Sequence, residues 1–244
     1  MTMNKNSNTY QFLYSSVMVI VVGTVLAFVF MTLKPKQDLN RANDTRQQIL
    51  GAIHVIPQNE VAVEGDFKKH IVGEYLIDAQ GEIADSGVNK AFDVNMSANV
   101  KLSANKRQLP LFVSIASDGA KKYIVPVYGA GLWGPIWGYI AVNEDGKTVY
   151  GTNFSHQGET PGLGARITET GFQDEFKGKS LYRDGAFKSV VVVKKGQKST
   201  DGGDYVDGLS GATITSRGVS DMLLHCLAPY NAFFKKLQSS TASK

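Results

Sequence analysis

From Phe12 to Leu33 the chain runs 22 residues without a charge, rich in Val, Leu, Ile, Phe and Met. At a helical rise of about 1.5 Å per residue this stretch spans about 33 Å, close to the hydrocarbon thickness of a bilayer. It predicts a single membrane-spanning helix. A cleaved secretory signal fits less well, because the apolar run exceeds the usual h-region and Lys34-Pro35-Lys36 follows it in place of a small-x-small cleavage site. The flanks pull the other way on orientation. Only Lys5 precedes the run closely, whereas Lys34, Lys36, Arg41 and Arg46 follow it, so the positive-inside bias read literally keeps the remainder in the cytoplasm.

That remainder has the balance of a folded domain: over the 244 residues, 43% are hydrophobic and 20% charged. The net charge of +4 is mild and the Lys and Arg residues form no run, which argues against a nucleic-acid partner. Cys226 is the only cysteine, excluding an internal disulfide, a Cys-based zinc site and an iron–sulfur cluster ligated within this chain. His54, His70, His156 and His225 show no paired spacing with a carboxylate, so no metal site is expected. Any redox centre here must be organic or borrowed.

Leu39, Ala42, Ile49, Ile53 and Ile56 recur near helical spacing and predict a juxtamembrane helix over 36–56, stopped by Pro57. From about residue 72 the pattern turns to strands punctuated by glycine: 74–78 and 82–85, then 111–116 and 123–128 flanking Ser117-Asp118-Gly119, then 139–142 and 148–154 flanking Glu144-Asp145-Gly146. The β-branched run 189–193 suits a buried strand. Val219, Met222, Leu223, Cys226 and Leu227 mark one face of an amphipathic helix, and Phe233, Phe234 and Leu237 extend an apolar stripe beyond Pro229. The polar tail 239–244 is expected to fray. Together these elements predict an α+β fold with a mainly antiparallel sheet and a C-terminal helix behind the N-terminal anchor.

Three segments could carry chemistry. Ser210-Gly211-Ala212-Thr213 stands at the start of the amphipathic helix, with Thr215 and Ser216 next; small residues and helix-start amides suit a phosphate, and Thr213 offers a hydroxyl. Alone, such a tetrapeptide is more often an N-cap. His156 is followed by Gln157, Gly158, Glu159, Thr160, Pro161, Gly162, Leu163 and Gly164, where glycines admit a flat ring, Thr160 can hydrogen-bond and Leu163 can cover an apolar face. Alone, this segment is an ordinary turn. The loop 129–138 holds both tryptophans, Trp133 and Trp137, and Leu132 among glycines, where an exposed aromatic can shield a ring or dock a partner although core burial is commoner. Asp201, Asp204 and Asp207 lack the ligand order of a calcium loop and read as a solvated turn, and Cys226 reads as a small buried hydrophobe.

The anchor, Gly131-Leu132-Trp133-Gly134-Pro135, the loop from His156 to Gly164, and Ser210-Gly211-Ala212-Thr213 before a helix together resemble the C subunits of the sodium-translocating NADH:quinone oxidoreductases, over nearly the whole chain. The pairing of Glu159-Thr160-Pro161-Gly162-Leu163-Gly164 with Ser-Gly-Ala-Thr is specific to covalent FMN-binding domains, which the G subunit of the Rnf-type electron-transport complex shares. The segment from Gly131 through Trp137-Gly138-Tyr139 to Asp145-Gly146-Lys147-Thr148-Val149 favours the former family.

The resemblance implies FMN esterified through its phosphate to Thr213 by an exported flavin transferase using FAD, with 209–215 as the recognised stretch and Asp207 just upstream. It implies Ser210, Gly211, Ala212, Thr215, His156, Leu132, Trp133 and residues 159–164 as surroundings of the flavin. It further implies electron transfer from NADH through other subunits to this FMN, then to a neighbouring membrane subunit that also carries FMN and to quinone, with sodium export coupled by the complex. It places the flavin domain in the periplasm of a bacterial inner membrane, the N-terminus being cytoplasmic. The boundaries that follow are a tail 1–11, a transmembrane helix 12–33, a juxtamembrane helix or linker 34–57, an FMN-binding domain 58–238 with its core at about 123–228, and a tail 239–244. The chain has no Rossmann-type Gly-x-Gly-x-x-Gly run for NADH and one helix is too little for an ion path, so it is expected to be a carrier and not catalytic alone. Rival readings are the Rnf-type carrier, a tethered binding or scaffold protein without flavin, and a stand-alone extracytoplasmic FMN reductase.

Overall fold

The computed structural model describes residues 7–103, 106–116, 119–200 and 202–242. Residues 1–6, most of the expected turn at Ser117-Asp118, Asp201 and the tail residues 243–244 lie outside them. Two compact units appear, one ending at Thr45 and the other beginning at Arg46.

Helix α1 (Asn8–Ala52) contains, within the first unit, the whole apolar run, long and apolar enough to cross a membrane; its last turns belong to the second unit. Its Phe, Leu, Val and Met side chains from Phe12 to Leu33 are exposed in the isolated chain, the pattern of a helix whose surroundings are lipid. The two threonines within the run satisfy their own hydroxyls: Thr24 donates to the Ile20 carbonyl (2.7 Å) and Thr32 to the Phe28 carbonyl (2.9 Å). Pro35 sits inside the helix, so membrane and juxtamembrane segments are one element and not two.

Pro57 does not end α1. The helix closes five residues earlier with a Schellman turn, in which Val55 N–H bonds the Leu50 carbonyl and His54 N–H the Gly51 carbonyl, both at 3.0 Å, with His54 in the left-handed region at φ 59°. The turn delivers Ile49, Leu50, Ala52 and Ile53 into a core layer with Phe67 and Ile71 from α2 (Ala62–His70) and its exit, and with Phe112, Ile124 and Ala141 from the sheet. Burying Ile49, Leu50 and Ile53 contributes about 1.5–3 kcal/mol each. A chain starting at Lys36 is therefore expected to stay in the aqueous phase and fold, whereas one starting at Val55 melts well below it. Retention of the Lys36 chain in the membrane fraction without partner subunits, or equal melting of the two, would contradict this division of labour.

In the second unit six antiparallel strands form one sheet in the order β2-β1-β3-β4-β5-β6. They are β1 (Ile71–Ile77), β2 (Ile83–Ser86), β3 (Leu109–Ile115), β4 (Lys121–Ala130), β5 (Pro135–Asn143) and β6 (Val149–His156). The strands expected between 74 and 154 are all present, with their ends displaced by a few residues in either direction. The short helix α3 (Met96–Asn99) precedes β3. Alternation sorts the sheet's two faces: Val125, Val127, Ile136, Ile140 and Val142 join one core, while Ile124 and Ala141 face the end of α1.

The other face is covered by α5 (Thr213–Leu227), the amphipathic helix expected from Val219, Met222, Leu223, Cys226 and Leu227, all buried. It lies against β4 closely enough that a Cβ at Gly129 would meet the Met222 side chain at 2.7 Å. Tyr230, fully enclosed, donates to the Pro110 carbonyl at 2.7 Å and fastens the exit of α5 to β3; burial raises its phenol well above the ordinary range. Helix α6 (Asn231–Ala242) then runs through most of the supposedly frayed tail, because Thr241 bonds the Glu144 carbonyl and Gln238 the Gly146 carbonyl. The architecture is α+β with an antiparallel sheet and C-terminal helices.

Between β6 and α5 come the short helix α4 (Thr170–Gln173), the hairpin β7 (Tyr182–Arg183) with β8 (Ala186–Phe187), and β9 (Val191–Val193) paired in parallel with β10 (Tyr205–Asp207). The run 189–193 is thus not one buried strand. Ser189 takes φ 62°, which prevents extended pairing from starting there, and only three half-buried residues follow in a two-stranded ribbon.

Candidate functional site

The three segments singled out in the sequence converge on one carboxylate. Glu159, only 4% exposed, receives the Trp133 backbone N–H on Oε1 at 2.8 Å and the Thr215 hydroxyl on Oε2 at 2.5 Å. Each partner is far away along the chain, 26 and 56 residues respectively. Hydrogen bonds to a charged acceptor are the strong ones, and a buried carboxylate without them would be costly. Glu159 therefore stitches the hairpin, the glycine loop and the helix start together from beneath.

Each segment is placed for a local reason. Residues 129–138 are not a loop: Gly129 and Ala130 finish β4, Pro135 opens β5, and Leu132-Trp133 form the hairpin tip closed by Gly131 N–H on the Gly134 carbonyl at 2.8 Å. The tip lifts Trp133 out to 67% exposure and Leu132 to 46%. Trp137 parts from it, pointing to the other sheet face, where its indole N–H donates to Gln48 at 3.0 Å.

The loop after β6 folds over Thr160, whose carbonyl accepts from Leu163 and Ala165. His156 takes no part in acid–base pairing with the Glu159 side chain; its Nδ1 accepts the Glu159 backbone N–H at 3.2 Å. Thr160, Pro161, Gly162 and Leu163 are exposed, while Gly164 is buried where a Cβ would press on both Glu159 and Thr215. Behind the loop Phe154, Phe172 and Phe176 pack edge to face or tilted within 6.3 Å, and Gln173 donates to the Phe154 and Ile167 carbonyls. Aromatic pairs of this kind add about 0.5–1.5 kcal/mol each, so the loop rests on a rigid base.

Thr213 is the first residue of α5, not its cap: Ala212 occupies the N-cap position and no side chain caps the helix. The backbone N–H groups of Thr213, Ile214 and Thr215 precede the first helical hydrogen bond, Ser216 N–H to the Ala212 carbonyl, and so form an open anion site. The four nearby hydroxyls are unequal. Thr215 is held by Glu159, and Ser216 accepts the Leu209 N–H at 3.1 Å, both being buried. Ser210 and Thr213 are exposed, and among the described residues neither side chain makes a hydrogen bond. Gly211, at φ 75°, brings the turn against the Leu163 side chain, where a Cβ would come within 2.8 Å.

Ile214, 58% exposed, and Arg217, four residues after Thr213 on the same helix, were not singled out by motif. Helical phase does reveal Ile214, since it falls opposite the stripe of Val219, Leu223 and Leu227. Leu132, Trp133, Leu163 and Ile214 thus supply exposed apolar surface from three segments around an exposed hydroxyl at a helix start. Small residues, free amides and apolar faces fit a phosphate-linked planar heteroaromatic group.

The remaining candidates are structural. Asp204 accepts the Ser180 N–H at 2.7 Å, and Asp207 N–H donates to Glu175 at 2.8 Å. Burial raises the Cys226 thiol, whose sulfur lies 3.4 Å from both the N and the O of Tyr128. Among the described residues no group of three or more His, Cys, Asp or Glu side chains is arranged to hold a metal ion.

Comparison with known proteins puts names beside this geometry. Residues 131–228, which contain the glycine loop, the helix start and all of the hairpin segment but Gly129 and Ala130, match the FMN-binding domain family. The chain is 30% identical to the C subunit of the Na(+)-translocating NADH-quinone reductase of Chlamydia muridarum, over 98% of this chain and 96% of that one. It is 32% identical to the C subunit from Vibrio anguillarum over 82% of each. The crystal structure of the C subunit from Parabacteroides distasonis aligns with a TM-score of 0.75 at 44% identity, covering 83% of this chain and 96% of that one. Shewanella oneidensis NqrC aligns with a TM-score of 0.65 at 29% identity, over 82% and 99%.

Proposed function

Because the chain belongs to the NqrC family, the C subunits of the Na(+)-translocating NADH-quinone reductases, we propose that it holds FMN as a phosphoester on Thr213 and relays electrons on the way from NADH to quinone. The observation that carries the site is the inequality of its hydroxyls: at the start of α5, Thr213 alone is both exposed and set against the open helix amides. A phosphoryl group on its Oγ meets the N–H groups of Thr213 to Thr215 and the positive end of the helix dipole. Arg217, one turn along, adds a cation on that side.

Bound there, FMN supplies a centre that takes up and releases electrons. The protein's contribution is placement. Leu132, Trp133, Leu163 and Ile214 offer apolar surface for the ring, and Glu159 with the Phe154 cluster keeps the loops that bear them from moving. The Gly-x-Gly-x-x-Gly spacing at 129–134 closes a β-hairpin and opens no helix, so it is not a dinucleotide site, and NADH oxidation belongs to other subunits, as does the sodium path. A neighbouring membrane subunit bearing its own FMN is the expected electron partner, and a flavin transferase using FAD the expected maturation enzyme. The α1 anchor holds the domain on the periplasmic side, against the literal charge count of its flanks.

Full-length protein produced with a flavin transferase should remain fluorescent on a denaturing gel, and a reporter fused after Lys244 should be active only outside the cytoplasm. A wild-type band without fluorescence under those conditions refutes the covalent flavin, and a reporter active only in the cytoplasm refutes the topology.

A further inference from the structure

Beneath the exposed acceptor the structure carries a buried carboxylate with no ion-pair partner among the described residues, and a solvated surface loop has no need of one. Its two oxygens are used separately: Oε1 on the tip of the β4–β5 hairpin, Oε2 on the third residue of α5. Gly131 and Gly164 are both cut away around it, since a Cβ at Gly131 would reach Oε1 at 2.5 Å and one at Gly164 would run into Oε2. The chain therefore leaves two side chains out to bring this one in.

We propose that Glu159 is a positioning residue for flavin attachment, acting through Thr215 to present Thr213 to the incoming flavin. Thr215 lies two residues beyond Thr213 in the first turn of α5. Holding Thr215 fixes the pitch and direction of that turn, and with it the Thr213 hydroxyl and the three open amides. The same bond occupies the Thr215 hydroxyl, which leaves Thr213 as the reactive one in the turn. The hold on Trp133 N–H sets the hairpin tip beside it, so acceptor and ring surface are located by one group.

The step served is a phosphoryl transfer from FAD. The Thr213 Oγ–P bond forms, the pyrophosphate P–O bond of FAD breaks, and AMP leaves as the hydroxyl proton passes to solvent or to the transferase. No electrons are exchanged. This inference rests on the esterification of Thr213 proposed above, and Glu159 touches neither reactant.

The test measures the initial rate of covalent FMN incorporation by mass, using purified full-length protein, a flavin transferase and FAD, with the folded fraction determined by thermal melting. Wild-type protein must load for the underlying reading to stand. Given that, Glu159→Ala and Thr215→Val are each expected to load at least tenfold more slowly per folded molecule, and the double variant no more slowly than the worse single one, because both remove the same Glu159–Thr215 bond. Glu159→Gln can still accept from Trp133 and donate to the Thr215 oxygen, and Thr215→Ser keeps the donor; both are expected within threefold of wild type. Loading at the wild-type rate in Thr215→Val, or losses that multiply in the double variant, would overturn the proposal. If Glu159→Ala does not fold, Thr215→Val with its Thr215→Ser rescue decides the matter alone.

Discussion

Thr213→Ala is expected to abolish the covalent flavin and leave the domain as stable as before. The substitution removes the only exposed hydroxyl in the first turn of α5. Were Thr213 an N-cap, its loss would cost about 1 kcal/mol. Ala212 holds that position and no side chain caps the helix, so the change at a first helical residue alters stability by only about 0.5 kcal/mol, with alanine the better helix former. A denaturing gel should show full-length protein without fluorescence, and thermal melting of the apo forms should superimpose on wild type. Ser210→Ala should keep the band, since Ser210 lies before the open amides and not among them. Thr215→Ala should lower stability by about 1–3 kcal/mol by leaving the buried Glu159 oxygen without its donor. A fluorescent Thr213→Ala band in the presence of an active transferase would move the ester to another residue.

Gly164→Ala is expected to damage the site severely for a change of one methyl group. Its Cβ would stand 2.7 Å from the Thr215 oxygen and against the Glu159 carboxylate, wedging apart the bond from Thr215 to Glu159 that joins the glycine loop to α5. Neither neighbour can swing away, because Glu159 is tied to Trp133 on its other side and Thr215 is helical. Overpacking of this kind costs about 1–3 kcal/mol. The loss should appear as a lower melting temperature together with at least tenfold slower flavin loading. Gly162, two residues earlier, provides the control: a Cβ there meets nothing within 4 Å, and the left-handed φ of 75° costs only about 1–2 kcal/mol. If Gly164→Ala loads and melts as Gly162→Ala does, the packing around Glu159 is looser than the distances say.

Much of the fold was legible because it is written in local periodicity. The apolar run from Phe12 to Leu33 announces a membrane helix, and Asp145-Gly146 announces a turn that Gly146 indeed makes at φ 64°. The stripe from Val219 to Leu227 announces α5 and even leaves Ile214 conspicuous on the wrong face. Where the local signal misled, a tertiary contact had replaced it. Pro57 looked like the stop of α1, yet the Schellman turn at His54 ends it because Ile49, Leu50 and Ile53 must enter the core there. The run 189–193 looked like a buried strand, yet only Val191 to Val193 are extended, half-buried in a two-stranded ribbon outside the main sheet.

The sequence by itself determined the apolar N-terminal helix, the class of the domain and the three segments that meet at Glu159, since each depends on the composition and spacing of neighbours in the chain. It offered four hydroxyls within seven residues, Ser210, Thr213, Thr215 and Ser216, and the motif alone ranked them. Only the tertiary structure decided which of them faces solvent. Thr215 and Ser216 are withdrawn by burial, the first through a carboxylate 56 residues away, and Thr213 is left at an open helix end. Pairings at such separations depend on how the loop after β6 is carried back over the sheet to meet α5, and no periodicity along the chain encodes that meeting.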